Sequence, residues 1–139
     1  GAARYDSCKA RKNMMPFVDS AVLIKAFTEN PDKHKCREIV HEKFVTNTLC
    51  LVEAHHFISL ISKNKTHAAM SIKSLFKSDC VVVDLDKNLL FESFKRTEKY
   101  KLDTFDLINY VTALLDNCDE FISYDKDFDD LEIKRTEPW

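Results

Sequence analysis

The stretch MMPFVDSAVLIKAF, Met14 to Phe27, decides how the chain folds. A short apolar run, Pro16-Phe17-Val18, stops at Asp19, and Val22, Leu23, Ala26 and Phe27 then recur at helical spacing. That change of period predicts a buried strand passing directly into a helix over about Ser20 to Thr28. A carboxylate stands at the junction, and its purpose is the question the rest of the chain must answer.

Downstream, ENPD ends the first helix, and Pro31 opens a second near its first turn, running to about Lys43. FVTNT (Phe44 to Thr48) reads as a brief extended link. A third helix is predicted over about Leu49 to Ser62, stopped at Lys63-Asn64, and a fourth over about Thr66 to Lys77. CVVVDL (Cys80 to Leu85) is the clearest strand, β-branched and continuous. Such a run predicts burial on both faces, as in a parallel sheet covered by helices. Helices follow over about Lys87 to Lys99 and Thr104 to Asn117. EFISY (Glu120 to Tyr124) is the third strand, and EIKR (Glu132 to Arg135) a candidate fourth. Gly1 is the only glycine, so Asn30, Asn64 and Asn117 are placed where helix stops need a left-handed backbone. This order of elements predicts a three-layer α/β/α domain with a central, mainly parallel sheet.

Composition bounds the function. At 139 residues, 45% hydrophobic and 32% charged, the chain has the size and balance of one globular domain, placed at residues 14–139. No apolar run approaches the roughly 18 residues of a membrane span, so no membrane role is expected. Residues 1–13, GAARYDSCKARKN, are polar and basic and do not form a signal peptide. An added tag, a disordered lead-in and native chain stay open for them, with Met14 or Met15 a plausible native start. The five cysteines are scattered without a C-x-x-C pair, which argues against zinc and for free thiols in a reducing cytoplasm. A net charge of −2 argues against a protein that simply coats nucleic acid. It does not exclude a nuclease, whose metal ion can present positive charge locally.

In parallel sheets ligands gather beyond the carboxyl ends of the strands. Asp19 belongs there, and so does Asp125 in ISYDKDF (Ile122 to Phe128). Glu53 is a third candidate. Its helical neighbours are Leu49, Phe57 and Leu60, and an ionised side chain in an apolar stripe needs a partner. Asp106 is the fourth, in the first turn of LDTFDLINYVTALL (Leu102 to Leu115), whose core face is Leu107, Ile108, Val111, Leu114 and Leu115.

Each acid alone has a plain structural reading. Asp19 caps the helix it precedes. Asp103 and Asp106 have the spacing of a capping box, the preferred reading for Asp103. Glu53 pairs with a lysine or lies at the core rim, and Asp125 shares a turn with Asp127, Asp129 and Asp130. No single reading covers all four. If they converge, each like-charged pair about 4 Å apart costs roughly 4 kcal/mol at an effective dielectric near 20. Protonation or a divalent cation must relieve that repulsion. Oxygen-only ligands favour Mg²⁺ or Mn²⁺, and the chemistry that fits is metal-dependent phosphodiester hydrolysis.

On these residues the sequence resembles the PIN-domain nucleases, most closely the VapC-type ribonuclease toxins. The resemblance runs from about Met15 to Asp130. It rests on FVDSAVLIKAF, TNTLCLVEAHHF, LDTFDLINYVTALL and EFISYDKDF, each weak alone but fairly specific in this order and spacing. It implies Asp19, Glu53, Asp106 and Asp125 as the acidic cluster around Mg²⁺ or Mn²⁺, with Asp127 competing with Asp125 as the fourth acid. Ser20 and Ser123 stand where the family has small hydroxyl residues that support the site. It further implies a ribonuclease whose RNA products carry a 5′-phosphate and a 3′-hydroxyl, a homodimer, and inhibition by a small antitoxin protein. The chain departs from the family in placing Ser20 rather than Thr after the first Asp, and in its lack of glycine.

Other residues invite a role. His55 and His56 are adjacent on a helix and diverge by about 100°, so they cannot chelate one ion together. Lys95, Arg96, Lys99 and Lys101 lead into the helix of Asp106. They read either as a guide for an RNA backbone or as an exposed helix face. Lys63, Lys65, Lys73 and Lys77 carry the same alternatives, and Tyr110 is open between base stacking and core packing. Two rivals to the toxin reading remain: an RNA-processing nuclease of the same type, and a PIN-like module that binds RNA or protein without cutting.

Overall fold

The structure is a computed structural model that describes residues 14–139; the expectations for residues 1–13 lie outside the described residues. Pro16–Val18 form β1, Ser20–Ala26 α1, Lys33–Val40 α2, Val45–Asn47 β2, Thr48–Ser62 α3 and Lys65–Leu75 α4. Val81–Val83 form β3, Lys87–Phe94 α5, Thr104–Leu115 α6, Glu120–Ile122 β4 and Lys134–Thr136 β5, with a short 3₁₀ turn at Lys126–Phe128. All strand pairings are parallel, in the order β3-β2-β1-β4-β5. This is the α/β class with a central parallel sheet that the order of elements predicts.

The centre of the sheet is built from the most apolar strands. Phe17 of β1 lies in register with Phe121 of β4, their rings stacked 4.9 Å apart. Phe128 packs on Phe121 at 4.3 Å and on Tyr110 at 6.2 Å. All four rings are fully buried, and each contributes about 2–3 kcal/mol by leaving water. Tyr110 is thus a core residue whose hydroxyl accepts the Ile133 backbone N–H; it does not face a base. Around the sheet, α1 packs on α2 and α3, α3 on α4, α5 on α6, and α6 against β2.

Several expectations are corrected. FVTNT is not a link: Val45–Asn47 is an interior strand, paired with β1 on one side and β3 on the other. Its polar side chains disguised it, yet they are buried and satisfied. Thr46 Oγ1 donates to Val18 O at 3.1 Å, and Asn47 caps α3. The CVVVDL run is not buried on both faces. It forms the edge strand β3, where Val81 is 38% exposed, because β-branched residues report strand preference and not depth. The stripe around Glu53 is not core either: Phe57 is 43% and Leu60 57% exposed. The buried face of α3 is Cys50, Leu51, Ala54 and Ile58. Pro31 lies in the turn before α2, which starts at Lys33, and the helices stop two to five residues short of the predicted ends at Lys43, Lys77, Lys99 and Asn117. Lys63 and Asn117 take the left-handed backbone, while Asn64 caps α4 by accepting the His67 N–H at 2.9 Å.

Candidate acidic site at the strand ends

After β3 the chain crosses over β2 and β1 to place β4 on the other side of β1. The strand order reverses between β1 and β4, the kind of switch point where parallel sheets open a crevice. Asp19 follows β1 directly, its N–H bonded to Ile122 O of β4 at 3.1 Å. It is the N-cap of α1, Oδ1 accepting the Ser20 N–H at 2.9 Å, and is only 7% exposed. Its Oδ2 accepts the Ser123 hydroxyl at 2.7 Å, and the same Ser123 oxygen accepts the Asp125 N–H at 3.0 Å. One buried hydroxyl therefore ties the two strand ends together.

Two helices bring the other acids. Asp103 caps α6 by accepting the Asp106 N–H at 2.9 Å, leaving the half-buried Asp106 side chain in the first turn. Asp125 accepts the Asp127 N–H at 2.9 Å, and one carboxylate oxygen from each of Asp106, Asp125 and Asp127 lies within 4.8 Å of the others. Glu53 reaches in, half-buried, from α3.

The electrostatics tie these groups into one cluster. Burial pushes the Asp19 carboxyl up, the Ser123 and Ser20 hydrogen bonds oppose it, and Asp125 and Asp103 push the same way as burial. Glu53 is raised by burial and then by Asp19, the Ser20 hydroxyl acting in opposition. Asp106 is pushed from 3.8 to about 8, first by burial and then by Asp103, Asp125 and Asp19. Its protonated form donates a hydrogen bond to Asp125. Three carboxyls thus lean toward the neutral form, first through burial and then through the charge of neighbouring acids, and among the described residues no Lys or Arg is paired with any of them. A set of oxygen donors this close, with repulsion this large, fits a hard divalent cation of the Mg²⁺ or Mn²⁺ type.

The structure therefore brings Asp19, Glu53, Asp106, Asp125 and Asp127 to one region, with Ser20 and Ser123 among them. The basic patch looks different. Lys95 and Arg96 both turn to Glu92, at 3.1 and 2.8 Å, and Lys99 to Glu132 at 3.5 Å. Among its four cations, Lys101 alone is in no ion pair with the described residues. Sequence reasoning missed Asn109, which is 2% exposed and places Nδ2 3.5 Å from Asp19 Oδ1. It also missed Asn47, which donates to Asn109, and Thr112, which accepts from the same Asn47 amide. The available signal was an amide one turn after Asp106 on an otherwise apolar helix face. Asp103, read as a cap, is a cap and also one of the charges that Asp19, Glu53 and Asp106 feel.

Solved structures share this fold. A toxin-antitoxin complex from Klebsiella pneumoniae superposes with a TM-score of 0.69 at 16% identity, covering 90% of this chain and 98% of that one. VapC20 of Mycobacterium tuberculosis, a sarcin-ricin loop cleaving toxin, gives 0.69 at 11% identity, over 81% and 92% of the two chains. VapBC2 from Rickettsia felis, bound to a DNA fragment from its promoter, gives 0.66 at 15% identity, over 91% and 99%. No curated protein matches the sequence. The PIN domain family model matches residues 17–134, and with the fold and the strand-end acids in agreement with it, the chain belongs to the PIN domain family.

Proposed function

We propose that the protein is a metal-dependent endoribonuclease and the toxin of a toxin-antitoxin pair. The observation that carries this reading is the convergence of Asp19, Glu53, Asp106, Asp125 and Asp127 at the switch point, with Asp106 held near 8 by burial and by its acidic neighbours. Asp106, Asp125 and Asp127, whose carboxylate oxygens lie within 4.8 Å of one another, would hold the ion together with Asp19 and Glu53. A bound Mg²⁺ or Mn²⁺ supplies the Lewis acidity that activates water and offsets charge on the phosphodiester. The residues hold the geometry. Ser123 and Ser20 fix the Asp19 carboxylate, while the capped first turn of α6 presents Asp106 beside Asp125. Hydrolysis of this kind leaves a 5′-phosphate and a 3′-hydroxyl on RNA.

The toxin role draws on the toxin-antitoxin complexes among the structural relatives. A protein partner also suits the surface. On α3, on α4 and at the residue that caps α4, Val52, Leu60, Ile61, Met70 and Phe76 are all more than half exposed, and Val52 and Phe76 line an apolar groove of about 400 Å³. Exposed apolar area of this extent marks a protein interface, as an antitoxin or a second copy of the chain requires. No helix among the described residues is long and apolar enough to cross a membrane; a cytoplasmic location is part of the proposal.

The test is cleavage of RNA by purified protein with Mg²⁺ or Mn²⁺, with EDTA, and in Asp19→Ala. Cleavage that needs the metal, vanishes in Asp19→Ala and leaves 5′-phosphates supports the reading. Full activity in Asp19→Ala, or in EDTA, overturns it. RNA binding without cleavage under every metal condition favours the non-catalytic alternative.

A further inference from the structure

Beneath Asp19 lies a chain of buried polar groups whose direction is forced. Asn47 caps α3, so its Oδ1 is committed to the Cys50 backbone N–H at 2.8 Å. Only its Nδ2 is left, and that group donates to Asn109 Oδ1 and to Thr112 Oγ1, both at 2.9 Å. The Thr112 hydroxyl spends its hydrogen on Ile108 O at 2.8 Å and can only accept from Asn47. Asn109 must then present its oxygen to Asn47, and the Cys50 thiol points at the same oxygen from 3.4 Å. What remains, Asn109 Nδ2, faces Asp19 Oδ1 at 3.5 Å. The opposite orientation would set amide against amide at Asn47 and oxygen against carboxylate at Asp19. Asn47, Asn109 and Thr112 are at most 2% exposed, so water is not there to repair a reversed group.

The consequence appears at Asp19. A carboxylate offers about four acceptor positions. Ser20 N–H and Asn109 Nδ2 take two on Oδ1, and the Ser123 hydroxyl takes one on Oδ2. One is left. The Asn109 contact, at 3.5 Å, is the longest of the three.

We propose that Asn109 is a positioning residue for Asp19, oriented by the α3 cap Asn47, so that the segment carrying Glu53 also sets the direction in which Asp19 offers its free lone pair. This rests on the metal-site reading above and deepens it, naming what aims the first ligand.

The test uses the full chain and two variants. Asn47→Ser keeps a neutral oxygen acceptor at the cap and removes the amide donor that orients Asn109 and also reaches Thr112. Asn109→Leu removes the amide at similar volume. Mn²⁺ affinity is read by calorimetry, folding by thermal melting, and the Asn109 side-chain amide by NMR in metal-free protein. The expected result is a roughly ten-fold loss of Mn²⁺ affinity in each variant, with cooperative melting retained and the loss of cleavage falling on kcat rather than KM. A folded variant binding Mn²⁺ within about two-fold of the unaltered chain overturns the proposal. If Asn109→Leu fails to fold, Asn47→Ser decides. If the unaltered chain binds no Mn²⁺, the nuclease reading fails, and the amide signal decides this inference separately. The signal must move in both Asn47→Ser and Asp19→Asn, and a signal indifferent to Asp19→Asn refutes the contact.

Discussion

Replacing Asp106 with Asn removes a carboxyl held well above its ordinary range, and its effect on stability can be worked out in sign and size. In the folded, metal-free protein the Asp106 carboxyl is held up from 3.8 to about 8 by burial and by Asp103, Asp125 and Asp19. A carboxyl raised on folding binds its proton more tightly in the native state. Its contribution is therefore fully present below about pH 4 and is lost as pH climbs toward 8. At about 1.4 kcal/mol per tenfold change in proton affinity, the full span would carry between 5 and 6 kcal/mol. Asp106 is half exposed, and water and salt screen such a group, so roughly 2 kcal/mol is the figure to expect.

Asp106→Asn keeps the shape and the Asp103 cap bond, which uses the backbone N–H of residue 106, but never ionises. Without metal it should melt about 5–8 °C above the unaltered chain at pH 8, a shift of about 3 °C per kcal/mol for a domain of this length. The gap should close by pH 4, where the native carboxyl is neutral too. Thermal melts in EDTA from pH 4 to 8.5 measure this directly, and saturating Mn²⁺ should erase or invert the gap by stabilising only the chain with its full set of ligands. Equal melting temperatures at pH 8, or a gap that does not change with pH, would refute the view that burial and the neighbouring acids hold Asp106 toward its neutral form.

Three further outcomes follow from the same geometry. At pH 7 Asp106 is largely protonated, so binding of Mn²⁺ should release close to one proton. Calorimetry in two buffers of different ionisation enthalpy reads this out, and the affinity should rise with pH up to about 8. Ser123→Ala removes the donor to Asp19 and the acceptor of the Asp125 N–H. It should cost about 1–3 kcal/mol in melting experiments for the buried groups left unpaired. Because the Ser123 bond lowers the Asp19 carboxyl, its loss of cleavage should be larger at pH 6 than at pH 8. On α3, Leu60→Ser and Ile61→Ser alter side chains that are 57% and 56% exposed and should change the melting temperature by little. The same pair should lower the mass seen in size-exclusion light scattering if this face joins two copies, and an unchanged oligomer refutes that use of the face.

The parts of the fold that were legible in the sequence are those where a residue breaks its local pattern. A carboxylate at the end of Pro16-Phe17-Val18, and another after Phe121-Ile122-Ser123-Tyr124, break the strand pattern; each alone reads as a cap or turn, and only the set of acids pointed to a candidate site. β2 gave no such signal. Thr46 and Asn47 look like loop residues, and only the tertiary fold supplies Val18 O and the Cys50 N–H that make their burial affordable. β3 misled in the other direction, since Val81-Val82-Val83 advertise depth and occupy an edge. Asn109 was easily passed over for a different reason. Its meaning depends on Asn47, 62 positions away, and an uncharged amide on a helix provokes no electrostatic question.

The competing readings of each acid, helix cap or site residue, turn out not to be alternatives. Asp19, Asn47, Asp103 and Asp125 are all N-caps, of α1, α3, α6 and the 3₁₀ turn. In a parallel sheet a helix commonly begins where a strand ends, so the caps of several helices are delivered to one edge by topology alone. The partial positive charge at a helix start favours a carboxylate there by about 0.3–1 kcal/mol, which is why acids are tolerated singly at these places. It cannot hold them together, because one like-charged pair about 4 Å apart costs roughly 4 kcal/mol. Capping therefore explains where each acid stands and fails to explain why they stand together. The difference must be met by protons, toward which burial and then Asp103, Asp125 and Asp19 push Asp106, or by a cation that displaces them.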